Sequence, residues 1–215
     1  MLPVKNTRGL MWLIKGVLVA LQLAIVLLLF NLWWSSKGDA GAQAMREAGI
    51  VMLAEPRALP VSGLAYTAGG SWPQSTVPGR WQLVFFGYTY CPDICPTTLA
   101  ELRQIYQRLP DRVRERLQVV MVTVDPHRDT LEQLRAYLDF FDRDFAGITG
   151  ELADIQMLSQ ALSIPFIPGD TEKPGYTVDH SGNLAIIGPD GRQAGFIRAP
   201  LQVDALVEQL PLLMD

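Results

Sequence analysis

The sequence predicts an α/β domain preceded by one N-terminal transmembrane helix. Short apolar runs rich in β-branched residues alternate with segments whose apolar residues recur at helical spacing. A long apolar stretch without charged residues precedes all of them. Because alternating strands and helices pack as a sheet with helices on both faces, we expect a mixed α/β sheet carried by a single membrane anchor.

The apolar stretch near the N-terminus has the length of a bilayer span. Residues 16–34 form a run of 19 residues without a charge, in which only Gln22 and Asn31 are polar. At about 1.5 Å per residue, a helix of this length covers roughly 28 Å, close to the ~30 Å hydrocarbon core of a bilayer. We therefore predict a transmembrane anchor over residues 11–34, behind a tail of residues 1–10.

Basic residues predict the orientation of this anchor. Lys5, Arg8 and Lys15 precede the uncharged run, whereas only Lys37 follows it closely. Because positively charged flanks stay in the cytoplasm, we expect a cytoplasmic N-terminus, a single pass through the inner membrane and a periplasmic domain.

A cleaved signal peptide is the alternative, because residues 40–44 contain A-x-A patterns. The apolar stretch exceeds the roughly 7 to 15 residues usual in such peptides, which favours the anchor. In either case the domain faces an oxidising compartment.

Periodicity and turn residues assign the elements of the domain in order. They predict a strand at 81–86, a helix at 96–109, a strand at 117–125, a helix at 130–141, a strand at 145–150, a helix at 151–162, a hairpin at 183–197 and a helix at 201–214. The preceding residues are rich in turn formers, so we predict a linker at 35–60 and an irregular opening to a domain of residues 61–215. This order of elements is that of an elaborated thioredoxin-like fold.

Capping residues predict where two of these helices begin. Pro96 suits the first helical position and disfavours helical dihedral angles in the residue before it, so we expect Cys95 to be the N-cap. Asp129 with Glu132 forms a pattern similar to a capping box at the start of the next helix.

The charge of the domain argues against general nucleic-acid binding. Subtracting the three basic residues of positions 1–34 from 18 leaves 15 basic and 22 acidic residues, a formal charge of −7. A nucleic-acid binder would present a basic face instead.

Cys91 and Cys95 are the two cysteines of the chain. A pair so close together cannot join distant parts of the fold, and the helix start that follows favours thiolates through its unpaired N–H groups. Buried apolar cysteines are the simpler alternative, but an isolated pair at a strand-to-helix turn favours a functional site. Two possibilities remain open at this point, a redox dithiol and a metal site.

His180 precedes the predicted hairpin, where thioredoxin-like folds place a cis-proline loop against the dithiol. Residues 180–182 contain no proline, so an imidazole replaces that loop. Two thiolates and an imidazole are a soft set of three ligands that suits copper, whereas structural zinc sites generally use four protein ligands.

Three segments, "FFGYTYCPDICPTTL", "VTVDPHRDT" and "YTVDHSGNLAIIGPDG", resemble the SCO/SenC copper chaperones in order and spacing. Members of that family are membrane-anchored thioredoxin-fold proteins that help metallate the binuclear copper centre of cytochrome c oxidase subunit II. The resemblance covers about residues 81–191. It implies that Cys91, Cys95 and His180 bind copper, as Cu(I), Cu(II) or both.

The segment "DPHRDT" departs from the family pattern at His127, where an acidic residue is usual. We expect His127 to be an exposed loop residue, with an auxiliary metal ligand as the alternative. For Asp125 and Asp129 we favour a structural role, in which Asp129 caps a helix and Asp125 ends a strand. The alternative is a cluster that supports the metal ligands or docks a partner.

The leading hypothesis is a copper metallochaperone, which is not an enzyme in the sense of turnover. Its partner would be cytochrome c oxidase subunit II or a similar copper acceptor. The second hypothesis is a thiol–disulfide oxidoreductase in which Cys91 and Cys95 form a reversible disulfide and reduce the acceptor's cysteines. A peroxiredoxin-like peroxidase is a third, weaker hypothesis.

Overall fold

The computed structural model describes residues 7–60, 63–73 and 79–214. The chain divides between Ala44 and Met45 into two compact units. Helix α1 (Thr7–Glu47) contains Met11–Trp34, the one segment of the described chain that is long and apolar enough to cross a membrane. This segment coincides with the predicted anchor, although a signal sequence would satisfy the same criteria.

The second unit contains a single sheet with helices packed against it. Its described strands are β1 (Ile50–Arg57), β2 (Leu64–Tyr66), β3 (Ser71–Trp72), β4 (Trp81–Gly87), β5 (Leu117–Thr123), β6 (Ala146–Thr149), β7 (Leu184–Ile187) and β8 (Gln193–Ile197). Its described helices are α2 (Ile94–Arg108), α3 (Asp111–Arg114), α4 (Leu131–Phe141), α5 (Leu152–Ala161) and α6 (Val203–Met214).

The strands are arranged in the order β1-β8-β7-β4-β5-β6-β2-β3. β4, β5 and β6 are parallel, whereas β7 pairs with β4 in antiparallel fashion. Every residue of β5 is buried, as expected for a parallel strand covered on both faces. The predicted thioredoxin-like α/β fold is therefore confirmed.

Alternate residues of β4 face two separate hydrophobic cores. Leu83 and Phe85 belong to the core that also includes apolar residues of α2 and α6. Val84 and Phe86 belong to the opposite core, which contains residues of α5 and both cysteines. The two cysteines are thus packed on the α5 side of the sheet.

The prediction of a linker and an irregular opening is wrong where β1, β2 and β3 lie. Among the described strands, β1 pairs with β8 alone and forms one edge of the sheet, β3 forms the other edge, and β2 lies between β3 and β6. Most residues of β1 are exposed, and it contains Pro56, which an edge strand tolerates. β2 and β3 are too short for a periodic pattern to reveal them.

Both predicted helix starts are also wrong in detail. α2 begins at Ile94 with Asp93 as its N-cap, so Cys95 lies inside the first turn and Pro96 one residue further on. Proline is tolerated anywhere in this turn because its missing N–H has no intrahelical partner there. The capping box of α4 is formed by Thr130 and Gln133, in place of Asp129 and Glu132.

Candidate metal centre

Cys91 and Cys95 flank the start of α2. The loop of residues 88–93, here called the cysteine loop, follows β4, and the N–H of Cys91 donates to the carbonyl oxygen of Tyr88 at 3.2 Å. Cys91 is 9% exposed and Cys95 is 1% exposed. Both cysteines are free thiols.

Gly87 makes room for the second sulfur. A Cβ atom at this position would lie 2.6 Å from Cys95 Sγ and 3.1 Å from Phe85 Cε2. The first contact is shorter than real Cβ contacts, so a side chain at the end of β4 would displace the Cys95 sulfur. Glycine therefore lets Cys95 pack closely against the end of β4, a central strand of the sheet.

His180 comes from a distant part of the chain and lies against both sulfurs. It belongs to residues 162–183, here called the histidine loop, which connect α5 to β7. Its Nε2 atom is 3.3 Å from Cys95 Sγ and 3.6 Å from Cys91 Sγ. The three ligand atoms lie within 4.8 Å of one another, and no other such group of His, Cys, Asp or Glu occurs in the described residues.

The imidazole of His180 is oriented for a metal on its Nε2 side. Its Nδ1 atom lies 3.4 Å from the carbonyl oxygen of Ser181. That acceptor favours a proton on Nδ1 and leaves the Nε2 lone pair facing the sulfurs. The ring of Tyr88 packs edge-on against the imidazole, with 5.7 Å between ring centroids.

Burial disfavours the charged forms of His180 and Cys95 when no metal is bound. It lowers the pKa of His180 below its usual value, so the ring is neutral at pH 7. Burial also raises the pKa of the Cys95 thiol far above its usual range. The expectation that the helix start favours a thiolate is therefore wrong for metal-free Cys95, because desolvation outweighs the helix dipole. A metal ion that binds here must displace this proton.

Asp129 joins the cysteine loop to β5 and does not cap α4. It accepts hydrogen bonds from Thr89 N at 3.0 Å, Thr89 Oγ1 at 2.6 Å and Thr123 Oγ1 at 2.7 Å. Its side chain is fully buried, which raises the pKa of its carboxyl. The structural role predicted for Asp129 was a helix cap, and that prediction is wrong.

Asp125 was predicted to end the strand, but β5 ends two residues earlier, and Asp125 accepts two side-chain hydrogen bonds in the loop that follows. The Nε of Arg128 donates to one carboxylate oxygen, and the hydroxyl of Tyr176 donates to the other at 2.7 Å. Asp125 is 3% exposed. Little of this carboxylate, or of Asp129, is therefore accessible to a partner.

His127 is exposed and lies outside the cysteine–histidine group. It lines a mostly apolar cavity of about 230 Å³ with residues such as Val124, Leu152 and Tyr176. The structure thus agrees with the expected exposed loop position.

Three residues beside the centre were not identified from the sequence: Tyr88, Arg128 and Tyr176. Tyr88 contacts His180, and Arg128 contacts the rings of Tyr88 and Tyr176. The available signal was the clustering of aromatic residues in "GYTYC" beside an arginine in "DPHRDT", but neither pattern reveals that the two segments meet.

Comparison with known proteins identifies the family. The SCO1/SenC family model matches residues 63–215. The chain belongs to the SCO1/SenC family. A protein of Stutzerimonas stutzeri that is named for copper binding is 46% identical over 169 residues, which cover 79% of this chain and 83% of that protein. The human mitochondrial SCO1 homologue is 34% identical over 120 residues, 53% of this chain but only 38% of the human protein.

Solved structures of this family include copper complexes. Yeast Sco1 with copper bound has a TM-score of 0.62 and 27% sequence identity, and the match covers 73% of this chain and 90% of that one. The prediction of the SCO/SenC family is therefore confirmed. Two sulfurs and one imidazole nitrogen also form a soft donor set that fits copper.

Proposed function

We propose that this SCO1/SenC protein carries one copper ion on Cys91, Cys95 and His180. The observation that carries the proposal is the convergence of the three ligand atoms within 4.8 Å, in a chain with no other cysteine. Soft thiolate ligands favour Cu(I), and the imidazole also suits Cu(II), so the centre can hold either oxidation state.

Loading of this centre depends on the redox state of the two cysteines. A disulfide offers no thiolate ligands, so both thiols have to be reduced before copper binds. Copper is cargo in this proposal and not a resident catalytic group. The ion leaves by ligand exchange, in which thiols and imidazoles of the acceptor replace Cys91, Cys95 and His180 one at a time.

We further propose the binuclear copper centre of cytochrome c oxidase subunit II, or a similar centre, as the acceptor. The apolar segment Met11–Trp34 would anchor the chain in the inner membrane, and the basic residues before it would keep the N-terminus cytoplasmic. The copper centre would then face the periplasm, where an acceptor domain on the same membrane surface can reach it. On this proposal the protein is an assembly factor and not a turnover enzyme.

A second candidate function rests on the same two sulfurs. Cys91 Sγ and Cys95 Sγ lie within 4.8 Å of each other, and a small movement of the cysteine loop would allow the ~2.05 Å bond of a disulfide. The protein would then reduce the cysteines of the acceptor by thiol–disulfide exchange and become oxidised itself. The two functions are compatible as successive steps, since an acceptor has to be reduced before it is metallated.

The test is a copper titration of the full chain, reduced and free of oxygen, in detergent micelles. We expect one copper per chain and visible copper–thiolate absorption. His180→Ala should weaken copper binding by at least roughly tenfold and change the spectrum, while both thiols still titrate. His127→Ala is the matched control, because it removes the other histidine of the chain from an exposed position.

Equal affinity and spectrum in His180→Ala and wild type would contradict the assignment of His180. A wild type without stoichiometric copper, which still reduces an acceptor disulfide at a rate independent of His180, would favour the oxidoreductase function.

A further inference from the structure

The histidine loop has little regular structure to hold it. α5 ends at Ala161 and β7 begins at Leu184, and between them one isolated bridge joins Ile167 to Asp179. His180 follows that bridge directly. A loop of this kind relies on side-chain contacts from other segments to keep its backbone in one position.

Arg128, in the loop after β5, supplies such contacts. One terminal nitrogen of its guanidinium donates to the carbonyl oxygen of Tyr176 at 3.1 Å, and the guanidinium lies 3.7 Å from the centroid of the Tyr176 ring. The Nε of Arg128 donates to Asp125, which also accepts from the Tyr176 hydroxyl. Burial and the nearby Asp125 raise the pKa of Tyr176 to about 12, so this hydroxyl stays protonated and donates at neutral pH.

The same guanidinium also faces the cysteine loop. It lies 4.8 Å from the centroid of the Tyr90 ring and 5.6 Å from that of Tyr88. The hydroxyl of Tyr88 accepts the N–H of Val178 at 3.3 Å, and its carbonyl oxygen accepts the N–H of Cys91. Arg128 therefore contacts residues within three positions of Cys91 and within four of His180.

The chemistry of this position requires an arginine. The side chains of Arg128 and of its partner Asp125 are both mostly buried, so the pair is largely shielded from water. A guanidinium can bind a carboxylate and a carbonyl in one plane while it stacks on aromatic rings, whereas an ammonium group cannot stack in this way.

We propose that Arg128 is a positioning residue for the copper centre. It holds the histidine loop against the cysteine loop and thereby keeps His180 beside both sulfurs before the metal arrives, which lowers the ordering cost of binding. Arg128 acts through His180 and not on the metal. The part of this inference that concerns copper rests on the proposed function above.

A double-mutant cycle with copper affinity as the readout tests this role. Arg128→Ala should weaken copper binding roughly 10- to 100-fold in the full chain. In the His180→Ala background, the same substitution should change affinity by less than about threefold, because its effect passes through the missing imidazole. Equal losses in both backgrounds would overturn the proposal and make Arg128 a general structural residue.

Two further variants separate geometry from charge and from general stability. Arg128→Lys keeps the positive charge beside Asp125 but not the stacking plane, so its copper affinity should resemble that of Arg128→Ala. Arg108→Ala removes an exposed arginine that pairs with Asp204, and it should bind copper like wild type. If Arg128→Lys bound copper with wild-type affinity, the positioning role would not depend on the planar guanidinium, and this part of the proposal would be overturned.

Hydrogen exchange of the metal-free, reduced chain tests the positioning without copper. In Arg128→Ala, amides of residues 176–183 should exchange at least roughly tenfold faster, while those of β4 and β5 keep their wild-type rates. Acceleration in every segment, or in none, would overturn the proposal. If wild type binds no stoichiometric copper, the proposed function fails, yet this measurement still decides whether Arg128 orders the histidine loop.

Discussion

The cysteine loop and the histidine loop meet at the same centre, but different kinds of structure hold them. The cysteine loop is short, leaves the buried strand β4 and enters the long helix α2. The histidine loop extends from α5 to β7 with one isolated bridge, and side chains such as Arg128 and Tyr88 hold it. Both sulfurs belong directly to the core on the α5 side of the sheet, whereas the imidazole is carried by an irregular loop that reaches the same core through buried side chains such as Ile164 and Val178.

This difference predicts two kinds of response to mutation. Local opening requires less free energy where fewer backbone hydrogen bonds of regular structure are lost, as in the histidine loop. Changes around the cysteines should lower the stability of the whole domain. Changes around His180 should mainly loosen the histidine loop and leave the rest of the domain intact.

The largest loss of stability is expected for Asp129→Ala. Thr89 N, Thr89 Oγ1 and Thr123 Oγ1 would lose their acceptor in a buried position, and each unpaired donor costs about 1 kcal/mol or more. We expect the free energy of unfolding to fall by about 3 kcal/mol or more. Unfolding of the full chain in micelles, followed by near-ultraviolet circular dichroism, measures this change.

Asp139→Ala provides the control for this experiment. Asp139 is an exposed carboxylate whose ion pair with Arg135 spans one turn of α4, and such pairs contribute about 0.5 kcal/mol or less. If Asp129→Ala were no more destabilising than Asp139→Ala, the cysteine loop would not depend on the buried carboxylate.

An intermediate loss is expected for Gly87→Ala. The new methyl group would lie 2.6 Å from Cys95 Sγ, and such overpacking costs about 1–3 kcal/mol. Displacement of the sulfur should also alter the copper–thiolate absorption. Gly41→Ala, at a helical position with nothing within 4 Å, should not lower stability and should leave the spectrum unchanged. A Gly87→Ala variant with wild-type stability would mean that Cys95 and the end of β4 can move apart at little cost in free energy.

The smallest loss is expected for Tyr176→Phe. The substitution removes one hydrogen bond to Asp125 but keeps the ring beneath Arg128, so the free energy of unfolding should fall by only about 0.5–1.5 kcal/mol. Amide exchange should quicken in the histidine loop alone. If Tyr176→Phe lowered the free energy of unfolding as much as Asp129→Ala, the two loops would not differ in their contribution to the stability of the domain.

The sequence predictions succeeded for the core elements beside the cysteines and failed for elements without a pattern of their own. β4, β5 and α2 were predicted because long apolar runs and helical spacing are signals within one segment. The edge strand β1 was missed because an edge strand buries only part of its residues, and β2 and β3 were missed because a strand of two or three residues has no period. The N-cap of α2 was predicted two residues too late, at Cys95 in place of Asp93, because Pro96 is acceptable at several positions of the first turn.

The sequence by itself determined the family, the apolar N-terminal segment, the α/β fold and the three candidate ligands. These features depend on residue types and on spacings along the chain. Only the tertiary structure decided that Asp129 holds the cysteine loop and that Arg128 joins the two loops. The physical reason is that such contacts form between residues distant in sequence, so their partners are defined by packing and leave no local pattern.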